Sequence, residues 1–262
     1  MNKFENREIE VVFTAIKDFL DFEPENYKEK PLLRRIRYRM RKVGVENWED
    51  YAELIKTNDG ERENLKKALT INITSFFRDK SVFETLKSKI LPSIKEPSIW
   101  SAGCANGAEP YAIAILCKEL NLKCSILGTD IDEDSIEMAR KGEYEEIELF
   151  ELPINYKIKY FEKIEGKYRI IPEIKSLVEY QVLDLKDADF ENKFDLVVCR
   201  NVLIYLKKEF QEKILLTFWK ALRGDGFLVL GKVEMLPERL RGFFHTVDLR
   251  DRIYVKGKGI VS

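Results

Sequence analysis

From residue 99 onward the chain alternates short apolar runs with amphipathic stretches of helical period. No other feature restricts the fold as strongly, because a strand-then-helix repeat specifies a mostly parallel sheet covered on both faces. Candidate strands fall at 98–102, 125–129, 178–183, 194–199 and 227–230. Candidate helices run over about 110–120, 133–141 and 207–222, the last closed by the turn Gly224-Asp225-Gly226. Between 142 and 176 this order breaks, and Tyr160, Phe161, Tyr168, Ile170 and Ile171 around the Gly166 turn read as a small antiparallel insertion. The expected class is α/β: a doubly wound, mostly parallel sheet with an antiparallel β-subdomain inserted at about 143–176.

The first part of the chain follows a different period. From 2 to about 70 apolar residues recur at helical spacing, with no alternating β-branched run. In 31–44, Leu33, Ile36, Met40 and Val43 share one face, Pro31 suits the first turn and Gly44 is placed to end the helix. Arg34, Arg35, Arg37, Arg39, Arg41 and Lys42 are expected on the other face. The chain thus divides into a small N-terminal helical domain (1–70), a linker with a connecting helix (71–97) and a larger domain (98–262). Lys and Arg total 45 against 46 Asp and Glu, so net charge gives no argument for nucleic acid. The longest apolar runs, such as 112–117, fall far short of the roughly 20 residues of a membrane span, and the N-terminus lacks an apolar signal core. A cytoplasmic protein is expected. Cys104, Cys117, Cys124 and Cys199 form no CxxC pair, which argues against zinc and structural disulfides.

The chemistry gathers at strand ends. The first strand runs into Gly103-Cys-Ala-Asn-Gly107-Ala-Glu109, a glycine turn opening a helix. Its G-x-x-x-G spacing is not that of a dinucleotide pyrophosphate loop, and Glu109 would repel a phosphate. The ligand should therefore carry positive charge nearby, as the ammonium and sulfonium of S-adenosylmethionine do. Glycines at such turns also serve packing alone. The second strand leads to Asp130, whose carboxylate can accept both hydroxyls of a ribose, with Asp132 or Asp134 as helix cap. The third leads to Asp184-Leu185, placed for an adenine edge and ring face, and the fourth to Cys199-Arg200-Asn201. Polar groups at four successive strand ends mark one crevice, where open α/β sheets bind ligands. Upstream, residues 69–79 include Asn72, Thr74, Arg78 and Asp79; the plainer reading is a capped linker with Phe76 and Phe77 as core anchors.

The motifs LTINITSFFRD, WSAGCANGAEPYAIAI, GTDID and FDLVVCRNVLIYL occur in the order seen in the chemotaxis receptor methyltransferase family, CheR, and the resemblance spans nearly the whole chain. It implies an S-adenosylmethionine-dependent, Rossmann-like methyltransferase domain that esterifies glutamate side chains of chemotaxis receptors, releasing S-adenosylhomocysteine and using no metal. Carried over by position, it implies that Asn72, Thr74 and Arg78 approach the cofactor or the methyl acceptor. Gly103, Glu109, Asp130, Asp184, Leu185, Cys199, Arg200 and Asn201 would line the cofactor pocket, and Arg78 and Tyr205 would flank the transferred methyl as the catalytic pair. Two departures stand out. Ala105-Asn106-Gly107-Ala108 replaces the family's turn rich in small hydroxyl residues, and Gly231-Lys232-Val233-Glu234 stands where Gly-His-Ser-Glu is usual.

A glutamate with a pKa of about 4.3 is ionised at neutral pH and needs no general base, which agrees with a single histidine, His245, read as structural. The site must instead supply orientation, worth roughly 7–11 kcal/mol in favourable cases. The basic helix 31–44 would collect acidic receptor helices, although a run of charges is as often a solvated face. A methyltransferase acting on another protein or on nucleic acid is the rival reading; against nucleic acid, no Asn-Pro-Pro-Tyr-like motif lies near Asn201. The expected protein is a monomer that binds no nucleic acid and does not insert directly into a membrane. The turn 163–168 is shorter, by about three residues, than the glycine-rich loop of family members that capture a receptor's C-terminal pentapeptide, which implies pentapeptide independence.

Overall fold

The computed structural model describes residues 3–70 and 74–259. It separates into a helical unit, made of the chain up to 71 with 205–210, and a larger unit of 72–204 with 211 onward. Asn72 lies outside the described residues.

The helical unit holds α1 (Lys3–Leu20), α2 (Glu29–Val43), α3 (Trp48–Thr57) and α4 (Asp59–Leu69). Their starts and stops follow local chemistry. Asn47 and Asn58 cap α3 and α4 by accepting the amides of Asp50 at 2.8 Å and Glu61 at 2.9 Å, and Gly44 (φ +74°) ends α2 in the left-handed conformation. Val12 and Ile16 of α1, Leu32 and Ile36 of α2, Tyr51 and Ile55 of α3 and Leu65 of α4 form one buried cluster. Residues 205–207 join this unit by an antiparallel bridge: Lys28 N donates to Tyr205 O and Lys207 N to Asn26 O, both at 2.8 Å.

The basic face of α2 needs correcting. Arg34, Arg37, Arg41 and Lys42 are exposed, but Arg35 is buried and donates through Nη1 to the Leu69 carbonyl. Arg39, one turn on, makes a bidentate pair with the buried Glu61 (3.1 and 2.5 Å), which also accepts from Tyr51 Oη at 2.6 Å. At 3.6 residues per turn these two arginines fall between the apolar stripe and the polar face, where α4 supplies their acceptors.

In the larger unit the chain runs through α5 (Lys80–Thr85), β1 (Ser98–Ala102), α6 (Ala108–Glu119), β2 (Ser125–Asp130), α7 (Glu133–Lys141), β3 (Glu143–Tyr144), α8 (Ile154–Tyr160), β4 (Phe161–Ile164), β5 (Lys167–Ile170), α9 (Pro172–Lys175), β6 (Val178–Val182), β7 (Phe194–Cys199), α10 (Lys208–Ala221), β8 (Leu222–Leu230), β9 (Phe244–Asp248) and β10 (Ile253–Lys256). Seven strands form a sheet ordered β6-β2-β1-β7-β8-β10-β9, parallel from β6 to β8, with β10 antiparallel to both β8 and β9. β1 is buried from Ile99 to Ala102 and α6 from Ala108 to Cys117, as expected for elements covered on both sides. A second sheet, β3-β5-β4, is the antiparallel insertion. Its hairpin turns on two residues, Glu165 (φ +49°) and Gly166 (φ +84°), whose positive φ matches the tightest kind of β-hairpin turn.

The expected turn Gly224-Asp225-Gly226 lies inside β8. Leu222 already pairs with Phe194 and Phe227 with Leu196, so the glycines are looped out as a bulge opposite Asp195. Phe76 and Phe77 are buried anchors, with Phe76 edge-on to Tyr144 and Phe161. All four cysteines are buried and free. No helix among the described residues is long and apolar enough to cross a membrane.

Candidate functional site

Strand order reverses between β1 and β7, with β2 and β6 succeeding on one side and β8 on the other. A crevice opens beyond the carboxyl ends of strands at such a point. The turn after β1 is pinned by Gly103 N and Cys104 N, which both donate to Thr129 O at 2.8 and 2.9 Å. Gly103 (φ +76°), Ala105 (φ +48°) and Gly107 (φ +84°) are all left-handed. A Cβ at Gly103 would stand 2.5 Å from Val202 Cγ2, and one at Gly107 would stand 2.6 Å from Tyr180 Oη. Close packing against the protein itself is therefore sufficient reason for both glycines.

Asp130, at the end of β2, is buried. Its Oδ2 accepts from Ala105 N at 2.8 Å and its Oδ1 from Asp132 N at 3.0 Å, and no cation among the described residues pairs with it. Burial pushes its pKa above the ordinary carboxylate value, against the opposing pull of the backbone amides of Asp132, Ala105 and Ile131. Each oxygen retains a lone pair. Asp132 is the cap of α7, accepting from Ser135 N at 3.2 Å and Ser135 Oγ at 2.6 Å. Asp184 caps the short turn after β6 by accepting from Lys186 N at 3.0 Å, and Leu185 beside it is half-buried.

Glu109 is not the bare anion its position in the sequence suggests. It accepts from Ser101 Oγ at 2.9 Å and pairs with Arg200 Nη1 at 3.2 Å. Arg200 in turn donates from Nη2 to Arg78 O at 2.7 Å and to Asp79 Oδ2 at 2.6 Å, and its Nε is buried without an acceptor. One buried guanidinium thus ties the first turn of α6 to the segment bearing Arg78. That segment is strained, with Phe77 (φ +57°) and Asp79 (φ +61°) both left-handed, at a cost of roughly 1–2 kcal/mol each. Thr74 and Arg78 are half-buried.

Cys199, the last residue of β7, is 0% exposed, and burial drives its thiol pKa well up. Asn201 (φ +63°) is the half-exposed residue of its segment. Sequence reasoning missed Glu234, which accepts the amides of Gly231, Asn201 and Ile204 at 2.6, 3.1 and 3.3 Å. Its signal is the acid that closes Gly231-Lys-Val-Glu234. Tyr205 belongs to the helical unit, where the Arg35 guanidinium lies 4.7 Å from its ring centroid.

This donor set suits S-adenosylmethionine. Asp130 offers two unfilled acceptor positions for ribose hydroxyls, while Asn201, Asp184, Leu185 and Thr74 are all partly accessible at the ends of parallel strands or just upstream. Residues 72–253 match the family described as CheR methyltransferase, SAM binding domain, and residues 7–70 match the CheR methyltransferase all-alpha domain. The chain belongs to the CheR methyltransferase family. A chemotaxis protein methyltransferase of Borreliella burgdorferi is 33% identical over 230 residues, spanning 80% of this chain and 81% of the relative. Chemotaxis protein methyltransferase 1 of Pseudomonas aeruginosa is 34% identical over 220 residues, with 77% and 80% covered, and the Salmonella typhimurium chemotaxis protein methyltransferase is 32% identical over 230 residues, with 83% and 80% covered. The two CheR domains correspond to the helical unit and to the unit carrying Asp130, Glu109 and Arg200.

Proposed function

We propose that this CheR family member methylates glutamate side chains on the cytoplasmic helices of chemotaxis receptors. One observation carries the reading: among the described residues the crevice carries hydrogen-bonded carboxylates and no histidine. Glu109 is paired with Arg200 and Asp130 is bound to two amides. The chain's single histidine, His245, sits exposed on β9, at the far edge of the sheet from β1. An acceptor that must lose a proton, such as a hydroxyl, would find no histidine there to take it; a carboxylate arrives ionised. When bound, S-adenosylmethionine supplies a methyl on a sulfonium, so that an O–C bond forms as the S–C bond breaks and its electron pair stays on sulfur. Asp130 would hold the ribose and Asn201, Asp184 and Leu185 the rest of the cofactor, and Arg78 and Tyr205 would orient the acceptor carboxylate. The test is the pH profile of methyl transfer to receptor. A rate flat over about pH 6 to 8 fits an acceptor with a pKa near 4.3, and a basic limb with a pKa near 7 would refute the reading.

Receptor docking would use the helical unit. Lys30, Arg34, Arg37 and Arg41 border a groove of about 750 Å³ between α2 and the turn into α3, with Leu33, Met40 and Trp48 among its lining and Glu46 at its rim. Cations flanking an apolar floor suit a glutamate-bearing amphipathic helix. The two-residue hairpin at Glu165-Gly166 leaves little loop to clamp an added strand, so receptor tails are not expected to tether this enzyme. Micromolar binding of a tail pentapeptide, about 8 kcal/mol of affinity, would contradict this.

A further inference from the structure

We infer that Glu234 is a positioning residue, whose carboxylate shapes the 201–204 turn so that Asn201 meets the cofactor. The inference rests on the reading that Asn201 touches S-adenosylmethionine. Cys199 and Leu230 are register partners on the parallel strands β7 and β8, so Asn201 and Gly231 emerge side by side just past the sheet. Beyond that point no ladder fixes the backbone. Glu234 takes its place: Oε2 accepts from Gly231 N at 2.6 Å and Asn201 N at 3.1 Å, and Oε1 from Ile204 N at 3.3 Å. The same carboxylate therefore bonds the exit of β8 and both ends of the turn that holds Asn201 left-handed.

The packing is as specific as the bonding. A Cβ on Gly231 would lie 2.8 Å from Glu234 Oε2 and 2.9 Å from Asn201 N, so this glycine leaves room for the carboxylate to reach the turn. Glu234 is 4% exposed, and among the described residues no lysine or arginine pairs with it. Its charge is met by amide dipoles alone, an anion-binding backbone concavity filled by the protein's own side chain. Burying a carboxylate without a cation disfavours folding, and burial accordingly raises its pKa. A group kept at such cost, bonded to the turn of a proposed cofactor residue, fits positioning better than general stability. Glutamine matches its size, but its –NH₂ would face amide donors.

The experiment is calorimetric titration of the full chain with S-adenosylhomocysteine, alongside thermal unfolding, for wild type, Glu234→Gln and a control, Asp195→Asn. Asp195 accepts Ser98 N at 2.8 Å at the opposite end of β7, so its loss should lower the melting temperature without touching cofactor affinity. Glu234→Gln is expected to weaken binding about ten-fold or more, since an acceptor for charge-assisted bonds is lost, while the receptor's apparent KM stays unchanged. A lower melting temperature with affinity within two-fold of wild type would overturn the inference. Should Glu234→Gln not fold, Gly231→Ala decides, because its methyl pushes the carboxylate off the turn: a five-fold or greater loss of affinity supports the inference and an unchanged affinity overturns it. Wild type that fails to bind would instead remove the cofactor reading on which the inference depends.

Discussion

Asp130→Asn separates two roles that one carboxylate combines. The side chain accepts two backbone amides, from Ala105 at 2.8 Å and Asp132 at 3.0 Å, and is proposed to accept ribose hydroxyls with its remaining lone pairs. Asparagine keeps the shape but replaces one acceptor oxygen by an –NH₂ donor. Losing charge-assisted bonds to the ribose should cost about 1.5–3 kcal/mol of binding, or roughly 10- to 150-fold in Kd for S-adenosylhomocysteine. The fold pays separately: one amide then faces a donor, at about 1–3 kcal/mol, partly offset by removal of a buried charge. The pH dependence has a definite sign. Folding raises the pKa of Asp130, so its contribution to stability is full below the ordinary value near 3.8 and is lost as pH rises through the raised value. The stability gap between wild type and Asp130→Asn should therefore narrow with rising pH. Calorimetric titration measures the first effect and thermal melts across pH the second. An affinity within two-fold of wild type in a folded variant would refute the ribose assignment.

Glu61→Ala strands the Arg39 guanidinium and the Tyr51 hydroxyl in the helical unit, so denaturant unfolding should register about 3–5 kcal/mol lost; a change below 1 kcal/mol would mean the pair is not buried in solution. Arg78→Ala and Tyr205→Phe should lower turnover more than cofactor affinity, and a wild-type rate from either variant would end its catalytic assignment. Reversing Arg37 and Arg41 to Glu should raise the apparent KM for receptor and flatten its salt dependence while cofactor affinity holds; equal salt dependence would return α2 to an ordinary solvated face.

Much of the fold was legible because its signals are local. Strands β1 and β7 and helix α7 fall at their expected bounds, since apolar runs and an Asp132 cap need no distant partner to be read. What escaped depends on partners far along the chain. Gly224-Asp225-Gly226 has turn chemistry, and only the pairing of Leu222 with Phe194 makes it a bulge. Arg35 and Arg39 look like their neighbours in a basic run until Leu69 and Glu61 are brought to them from α4. At the candidate site, the cap of α7 was narrowed to Asp132 or Asp134, of which Asp132 caps it, and the place of Asp130 at a strand end was legible. Glu109's pairing with Arg200, 91 residues on, was not, and Glu234 bonds backbone amides, which carry no side-chain signature at all. Cys199, beside Arg200 and Asn201, has no exposed surface because β7 is buried continuously from Leu196 onward.

The central claim, that this CheR family chain forms methyl esters on receptor glutamates, meets its most direct test in peptide mass spectrometry of a receptor cytoplasmic fragment incubated with the protein and S-adenosylmethionine. The expected result is a gain of about 14 Da per modified glutamate, reversed by mild alkali and absent when those glutamates are replaced by alanine, as an ester on an ionised carboxylate requires. An alkali-stable gain on lysine or another side chain, or no gain on receptor from protein that binds the cofactor, would contradict it.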